Sequence, residues 1–343
     1  MRYKSLIILL MLIGMAYSQN NVINIYNWSA YTPKSVIKLF TKQTGIHVNY
    51  TTYASNEELY EKLKADPSIG YDIIVPSSYF VQRMAKEGML EKLDLKQLPN
   101  LKNINPLLLN KPYDPGNQYS IPYLWGTTSI IVNNKYYDPK TITTWNDLWQ
   151  QRFYNQLLLN DDMRDVFSIG LAALGYSINT SDPEQIKQAY LKLRQLMPNV
   201  KLFSSDGAIP IMLDEDATIG VVYSGDAEQM TKGNKKLRYV YTKSGIIIWI
   251  DCMSIPKNAP HLANAYKFIN FIMQPKIAKM ISMQLGYSSP NITAVHGMPN
   301  RIQNNMIMYP PQNILAHGQT EGYLGKATQA LYLHYWELLK ISG

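Results

Sequence analysis

The sequence predicts an α/β protein built as two lobes, and three observations carry that expectation. The chain has 343 residues, beyond the usual range of a single domain. Strand-like and helix-like stretches alternate as βαβαβ over roughly the first 80 residues. The same alternation resumes between about 129 and 249. With 46% hydrophobic and 17% charged residues, and no repeat or low-complexity segment, the composition is that of a globular chain with a large core.

The first eighteen residues differ in kind. Arg2 and Lys4 precede the apolar run "SLIILLMLIGMAY", and Ala16 and Ser18 give a small-x-small cleavage pattern. This is the pattern of a secretory signal peptide, and the run is shorter than the roughly 20 residues a membrane anchor needs. The mature chain is expected to start near Gln19 and to be exported to the periplasm. Cys252 is the one cysteine, so no intrachain disulfide is available, and a small buried hydrophobe is its expected role.

Each element follows from local pattern. "NVINIYNW", 21 to 28, alternates and reads as a strand. Thr32 is the expected N-cap of a helix with Pro33 in its first turn, and "KSVIKLFTKQT" sets Val36, Leu39 and Phe40 on one face before Gly45 stops it. "IHVNYTTY" is a second strand, Ser55 to Glu58 forms a capping box for "EELYEKLKA", and "YDIIVPS" is a third strand. Parallel units of this kind bind ligands outside the carboxyl ends of their strands. There the chain has Trp28 to Tyr31, Tyr53 to Ser55 and Pro76 to Tyr79, with no glycine-rich phosphate loop.

Further on, "SIIVNN", "QLLLN", "VKLF", "TIGVVYSG" and "LRYVYT" read as strands, with helices around "WNDLWQQ" and in "DDMRDVFSIGLAALG". "GIIIWID", 245 to 251, reads as a buried strand finishing on Asp251. "LANAYKFINFIMQ" and "KIAKMISMQLG" are two helices punctuated by Pro275 and Gly286. A last helix, 326 to 341, groups Ala327, Ala330, Leu331, His334, Tyr335, Leu338 and Leu339, which makes His334 a core or boundary residue.

Two constellations invite a functional reading beside a structural one. Trp249 and Asp251 lie on one face of their strand about 7 Å apart. Either the pair attracts a cation through indole and carboxylate, or Trp249 fills core while Asp251 caps a turn. Asp162 and Asp165 fall where a strand gives way to a helix. Either they cap the helix and favour its positive end, or they face a cleft and hold an amine. A carboxylate and an ammonium 4 Å apart attract by about 4 kcal/mol at an effective dielectric of 20, before desolvation.

The formal charge is +8, and removing Arg2 and Lys4 from the 33 basic residues leaves 31 against 25 acidic, or +6. The lysines are dispersed over helices without the basic stripe that nucleic acid needs, so no nucleic-acid partner is expected. A ferric-ion receptor has a superficial candidate in Tyr136 and Tyr137, but the five histidines are scattered. Ser35 and Lys38 match Ser-x-x-Lys of an exported hydrolase, yet they sit inside an amphipathic helix with no Lys-Thr-Gly following. An anion receptor would rely on helix N-termini and hydroxyls, without Asp162, Asp165 and Asp251 in its cleft.

Taken together, "YNWSAY", "ASNEELYEKL", "YDIIVPSSYFV", "NKPYDP", "YSIPYLWGTT", "LLLNDDMRDVF", "LRQLMPNV", "IIIWIDCMSIP", "FINFIMQP" and "LGYSSPN" resemble, in this order, the spermidine/putrescine-binding proteins of polyamine ABC transporters. The resemblance implies a two-lobed periplasmic binding protein of type II-like topology, each lobe a mostly parallel sheet flanked by helices, with the ligand in the hinge cleft. The division expected here is 1–18 leader, 19–128 with 250–296 as one lobe, and 129–249 with 297–343 as the other. It implies ligand contacts at Trp28, Ser29, Tyr31, Ser77, Tyr79, Asp162, Asp165, Trp249, Asp251 and Tyr287. Asp165 stands where the family usually has Glu, Tyr223 where a tryptophan is usual, and Ala30 at an often acidic position. Asp226 resembles the acid of the putrescine-preferring branch, and Glu321 falls near a glutamine of spermidine binders. The implied partners are a polyamine and an inner-membrane ABC permease, for a monomer without cofactor or catalytic activity.

Overall fold

The computed structural model describes residues 21–341 of the chain, so the leader expected at 1–18 lies outside the described residues. Ten strands form one continuous sheet: β1 (Val22–Trp28), β2 (His47–Tyr53), β3 (Ile73–Ile74), β4 (Ser120–Asn133), β5 (Leu157–Leu159), β6 (Val200–Phe203), β7 (Ile219–Tyr223), β8 (Leu237–Val240), β9 (Ile246–Ser254) and β10 (Gly318–Thr320). Two parallel blocks stand apart in it. One is β2-β1-β3, the other β6-β5-β7.

The strands joining the blocks run antiparallel to them and to each other. β4 pairs β9 from Ser120↔Ser254 to Thr128↔Ile247, then pairs β7 and β8, while β9 reaches β3 at its far end. At 14 residues β4 is far longer than the stretch "SIIVNN" suggested. Its first half reads "SIPYLWG", where proline and glycine interrupt the strand pattern although both are paired with β9 here.

Helices cover both faces: α1 (Lys34–Thr44), α2 (Asn56–Ala65), α3 (Ser78–Lys86), α4 (Met163–Ala173), α5 (Pro183–Arg194), α6 (Ala208–Leu213), α7 (Ser224–Gly233), α8 (Leu262–Ile272), α9 (Pro275–Leu285), the short α10 (Ile292–His296), α11 (Asn300–Gln303) and α12 (Gln312–Leu315), and α13 (Lys326–Ile341). Apolar packing divides with the blocks. Ile23, Phe40, Tyr60, Phe80, Ile269 and Ile281 belong to clusters built around the first block. Trp145, Phe153, Phe167, Val221, Met230 and Tyr332 belong to clusters around the second.

Several local expectations need correction. Thr32 does not cap α1; Pro33 holds the N-cap position, and the Thr32 hydroxyl is instead bonded to Asn27 and Tyr123 inside the fold. The Ser55 hydroxyl does accept from Glu58 N at 3.1 Å, but the returning Glu58 carboxylate takes the N–H of Ala54. "WNDLWQQ" forms two 3₁₀ turns. The strand of Asp251 runs on to Ser254, so Asp251 is not at its end. His334 is exposed, because α13 buries the turn edge of Tyr332 and Leu339. Cys252 is buried and unpaired, as a small hydrophobe would be.

Candidate ligand-binding site

The carboxyl ends of the two parallel blocks face a single cavity of about 400 Å³, a size suited to a small organic ligand. From the first block come Trp28, Ser29 and Tyr31 after β1, and Ser77 and Tyr79 after β3. The second block contributes Asp162 and Asp165 after β5, and Tyr223 with Asp226 after β7. β9, crossing between them, brings Trp249 and Asp251, whose alternate spacing turns both to the same side. Tyr287 and Glu321 complete the set. Every side chain implied by the resemblance therefore lines this one space.

Local structure aims these groups. Ala30 sits at φ 52°, a left-handed turn that lets Trp28 and Tyr31 both face the cavity. The indole N–H of Trp28 donates to the Val75 carbonyl at 2.8 Å and its ring packs on Tyr53 at 4.7 Å. Tyr31, Tyr287, Trp249 and Tyr223 form a chain of edge-to-face contacts with centroids 5.4, 5.5 and 5.9 Å apart. Two glycines make room for it. A Cβ on Gly126, paired with Trp249 across β4 and β9, would lie 2.4 Å from that indole, and one on Gly225 would lie 2.2 Å from the Tyr287 ring.

The carboxylates are held by neutral donors. Asp251 accepts the Ser77 hydroxyl at 2.7 Å on one oxygen and the Tyr31 hydroxyl at 2.8 Å on the other. Burial pushes its carboxyl up to about 6 against the lowering effect of those bonds. Asp226 accepts from the Tyr287 hydroxyl at 2.8 Å and is likewise pushed up by burial to about 6. Asp162 Oδ1 accepts the N–H groups of Arg164 and Asp165 at 2.8 and 3.0 Å, which is the capping geometry, while the same residue lines the cavity. The two readings weighed for it are compatible, since a cap occupies one oxygen.

Asp165 accepts from Asn160 at 2.9 Å and Thr128 at 3.3 Å, and burial, then the charges of Asp162 and Glu321, hold its pKa well above the usual carboxylate range. Glu321 accepts from Ser168 at 3.4 Å and is pushed up to about 7, chiefly by burial. Among the described residues, none of Asp162, Asp165, Asp226, Asp251 and Glu321 forms a salt bridge with Lys or Arg. Arg164, next to Asp162 and itself buried, gives its guanidinium hydrogen bonds to the carbonyls of Gly322 and Ile178 and to Asn179, and only its charge reaches Asp162 and Glu321. Buried and half-buried carboxyls without a salt-bridged cation hold their protons more tightly than usual and make a space that an entering cation would favour, by ionising them.

Other contributors escaped the sequence reading. Asn56 donates to Ser77 Oγ and Tyr79 OH at 3.2 and 3.3 Å and accepts Ser77 N at 3.0 Å, fixing that turn. Glu57, beside it in the first turn of α2, is an acid pushed up to about 7 by burial and by the charge of Asp162. Ser205 and Asp206 line the cavity just past β6, where the strand-end rule applied to the first three strands points equally well. Among the described residues no group of three or more His, Cys, Asp or Glu could hold a metal ion, and no helix is long and apolar enough to cross a membrane.

Comparison with known proteins bears on this geometry. The family model of bacterial extracellular solute-binding proteins matches residues 35–308. The spermidine/putrescine-binding periplasmic protein of Salmonella typhimurium is 43% identical over 323 residues, covering 94% of this chain and 92% of that one. Its Escherichia coli counterpart is 41% identical, with 94% and 92% covered. The solved spermidine/putrescine ABC transporter substrate-binding protein of Streptococcus pneumoniae superposes with a TM-score of 0.81 at 36% identity, covering 94% of this chain and 99% of that one.

Proposed function

Because the chain belongs to the bacterial extracellular solute-binding protein family, we propose that it is an extracytoplasmic receptor that binds spermidine, putrescine or both and delivers them to an inner-membrane ABC importer. The observation that carries the reading is the set of buried carboxylates without cationic partners, interleaved with aromatic rings in one cavity. A polyamine supplies what such a space lacks. Its ammonium groups neutralise separated carboxylates, and its methylene runs are covered by flat rings at roughly 0.8 kcal/mol per CH₂, with cation-π attraction added.

In this reading Asp162, Asp165 and Glu321 take one end of the ligand, Asp251 an inner amine, and Asp226 the region of Tyr287. Trp28, Tyr31, Tyr79, Tyr223, Trp249 and Tyr287 cover the hydrocarbon, and Ser29 and Ser77 supply hydroxyls. The lobes would be 19–128 with 250–296, and 129–249 with 297–343. The separate apolar clusters favour this division, with one soft boundary. Met298, Ile302 and Met308 pack on Met283, so the start of the last segment leans on the first lobe. The chain would act as a monomer, exported by residues 1–18, with no cofactor, catalytic reaction or nucleic-acid partner.

Calorimetry with putrescine, cadaverine, spermidine and spermine tests the reading on the mature protein. Saturable binding of at least one of them with a stoichiometry near one is expected. Failure of all four to bind, or equal binding of a neutral diol of the same length, would overturn it.

A further inference from the structure

Glu321 enters the cavity from the irregular stretch between β10 and α13, and its one side-chain donor, Ser168 at 3.4 Å, is too distant to fix its direction. Its orientation is set by the backbone beside it. On one wall, Gly322 O accepts from Arg164 at 3.1 Å and Gly322 N donates to Asn179 at 2.8 Å. The next N–H, that of Tyr323, donates to Gln82 Oε1 at 3.1 Å. Gln82 lies on α3, the helix that carries Tyr79, and so belongs to the opposite wall.

Other contacts follow the same seam without matching that bond. Arg83 donates to Gln329 at 3.3 Å, and Lys326 lies 3.5 Å from Glu87 with the lysine mostly in solvent, a pair of little strength. Gln82 itself is neutral and does not line the cavity, and its bond to Tyr323 N leads to the cavity through Glu321.

We propose that Gln82 is a positioning residue that, by accepting the Tyr323 N–H across the seam between the walls, directs Glu321 at a ligand amine only when the two walls meet. Glu321 then senses how far the polyamine extends in the closed protein and not in the open one. This rests on the polyamine reading above and adds a distinct claim, that a helix of one wall orients an acid of the other.

A double-mutant cycle in calorimetry tests it, with Gln82→Ala, Gln82→Glu, Glu321→Ala and the Gln82→Ala/Glu321→Ala pair, each titrated with spermidine and putrescine. Gln82→Ala is expected to weaken the preferred polyamine roughly three- to tenfold, the worth of one neutral hydrogen bond. It should shift the spermidine-to-putrescine ratio in the same direction as Glu321→Ala. In the Glu321→Ala background it should cost nothing further, and Gln82→Glu, which keeps the acceptor, should restore the ratio. An undiminished loss in that background would make Gln82 a plain latch and overturn the proposal, as would no loss at all. If the unaltered protein binds no polyamine, both readings fall; if it binds and the cycle is additive, this one alone does.

Discussion

Replacing Asp251 by asparagine is expected to weaken polyamine binding and at the same time to stabilise the ligand-free protein. The two effects come from one charge. Asp251 is 7% exposed, and burial raises its carboxyl to about 6 although Ser77 and Tyr31 both donate to it. Against an ordinary value near 3.9, that shift opposes folding of the charged form by about 3 kcal/mol above pH 7. Asparagine keeps an acceptor for Ser77 and turns an amide toward the Tyr31 hydroxyl, which can rotate to accept it. After some loss of geometry, a gain of about 1–2 kcal/mol should remain, or roughly 1–3 °C in the melting temperature of a chain this long. The ligand feels the reverse. An ammonium 4 Å away is attracted by about 4 kcal/mol at a dielectric of 20, part of which offsets its desolvation, so affinity should fall about 10- to 1000-fold. Calorimetry with spermidine and putrescine reads one effect and thermal unfolding without ligand reads the other. Unchanged affinity for both amines, or a ligand-free melting temperature that drops, would refute the reasoning.

Further outcomes follow from the same geometry. Asp226 and Asp251, raised to about 6, and Glu321, raised to about 7, bind protons more tightly folded than unfolded, so the ligand-free protein should lose stability as pH rises from about 4 to 7. Polyamine affinity should climb over the upper part of that range, as carboxyls ionise, and a flat affinity between pH 5 and 8 would contradict those positions. Gly225→Ala would set a Cβ 2.2 Å from the Tyr287 ring and push its hydroxyl off Asp226; about tenfold weaker binding with the fold kept, checked by calorimetry and circular dichroism, is expected. Small-angle scattering should show a smaller radius of gyration with saturating spermidine, since contacts from both walls favour closure only through differential binding; no compaction would argue against a closing cleft.

How much of this was legible beforehand depends on whether the signal was local. α1 and α13 end where their patterns end, and the face shared by Trp249 and Asp251 follows from the two-residue period of a strand. The site residues after β1 and β3 are legible because parallel strands end at the ligand, Asp162 and Asp165 because they stand where a strand gives way to a helix, and Tyr223 and Asp226 only through the family resemblance. Long-range pairing left no such mark. The Tyr31–Asp251 bond spans 220 residues, the Gln82–Tyr323 bond 241, and neither has a local sequence signature. Gly126 and Gly225 look like turn or flexible glycines until the rings packed against them are seen. The expectation that His334 is a core or boundary residue fails for a related reason: α13 has apolar residues on more than one face, and only its packing on α4 and α5 selects which edge is buried.

The arrangement of donors explains why the cavity can hold several ionisable acids without collapsing into internal ion pairs. Asp226 and Asp251 are met by hydroxyls and Asp165 by an amide and a hydroxyl, all neutral groups that orient a carboxylate without cancelling its charge, while Glu321 has only a long contact with Ser168 and takes its direction from its backbone. A lysine in any of those places would stabilise the ligand-free protein more and leave nothing for a cation to do. The cost of keeping these acids buried and unpaired is borne by the rest of the fold, whose two apolar cores lie behind the parallel blocks. The same cost returns as binding free energy when an amine enters, because the ligand removes a penalty that the ligand-free protein already carries. Since β4 and β9 pass from one core to the other beneath the site, with one register shift between Pro122 and Leu124, an approach of the walls would not need either strand to break. Closure then needs only the contacts that the ligand, and the seam between α3 and the start of α13, supply.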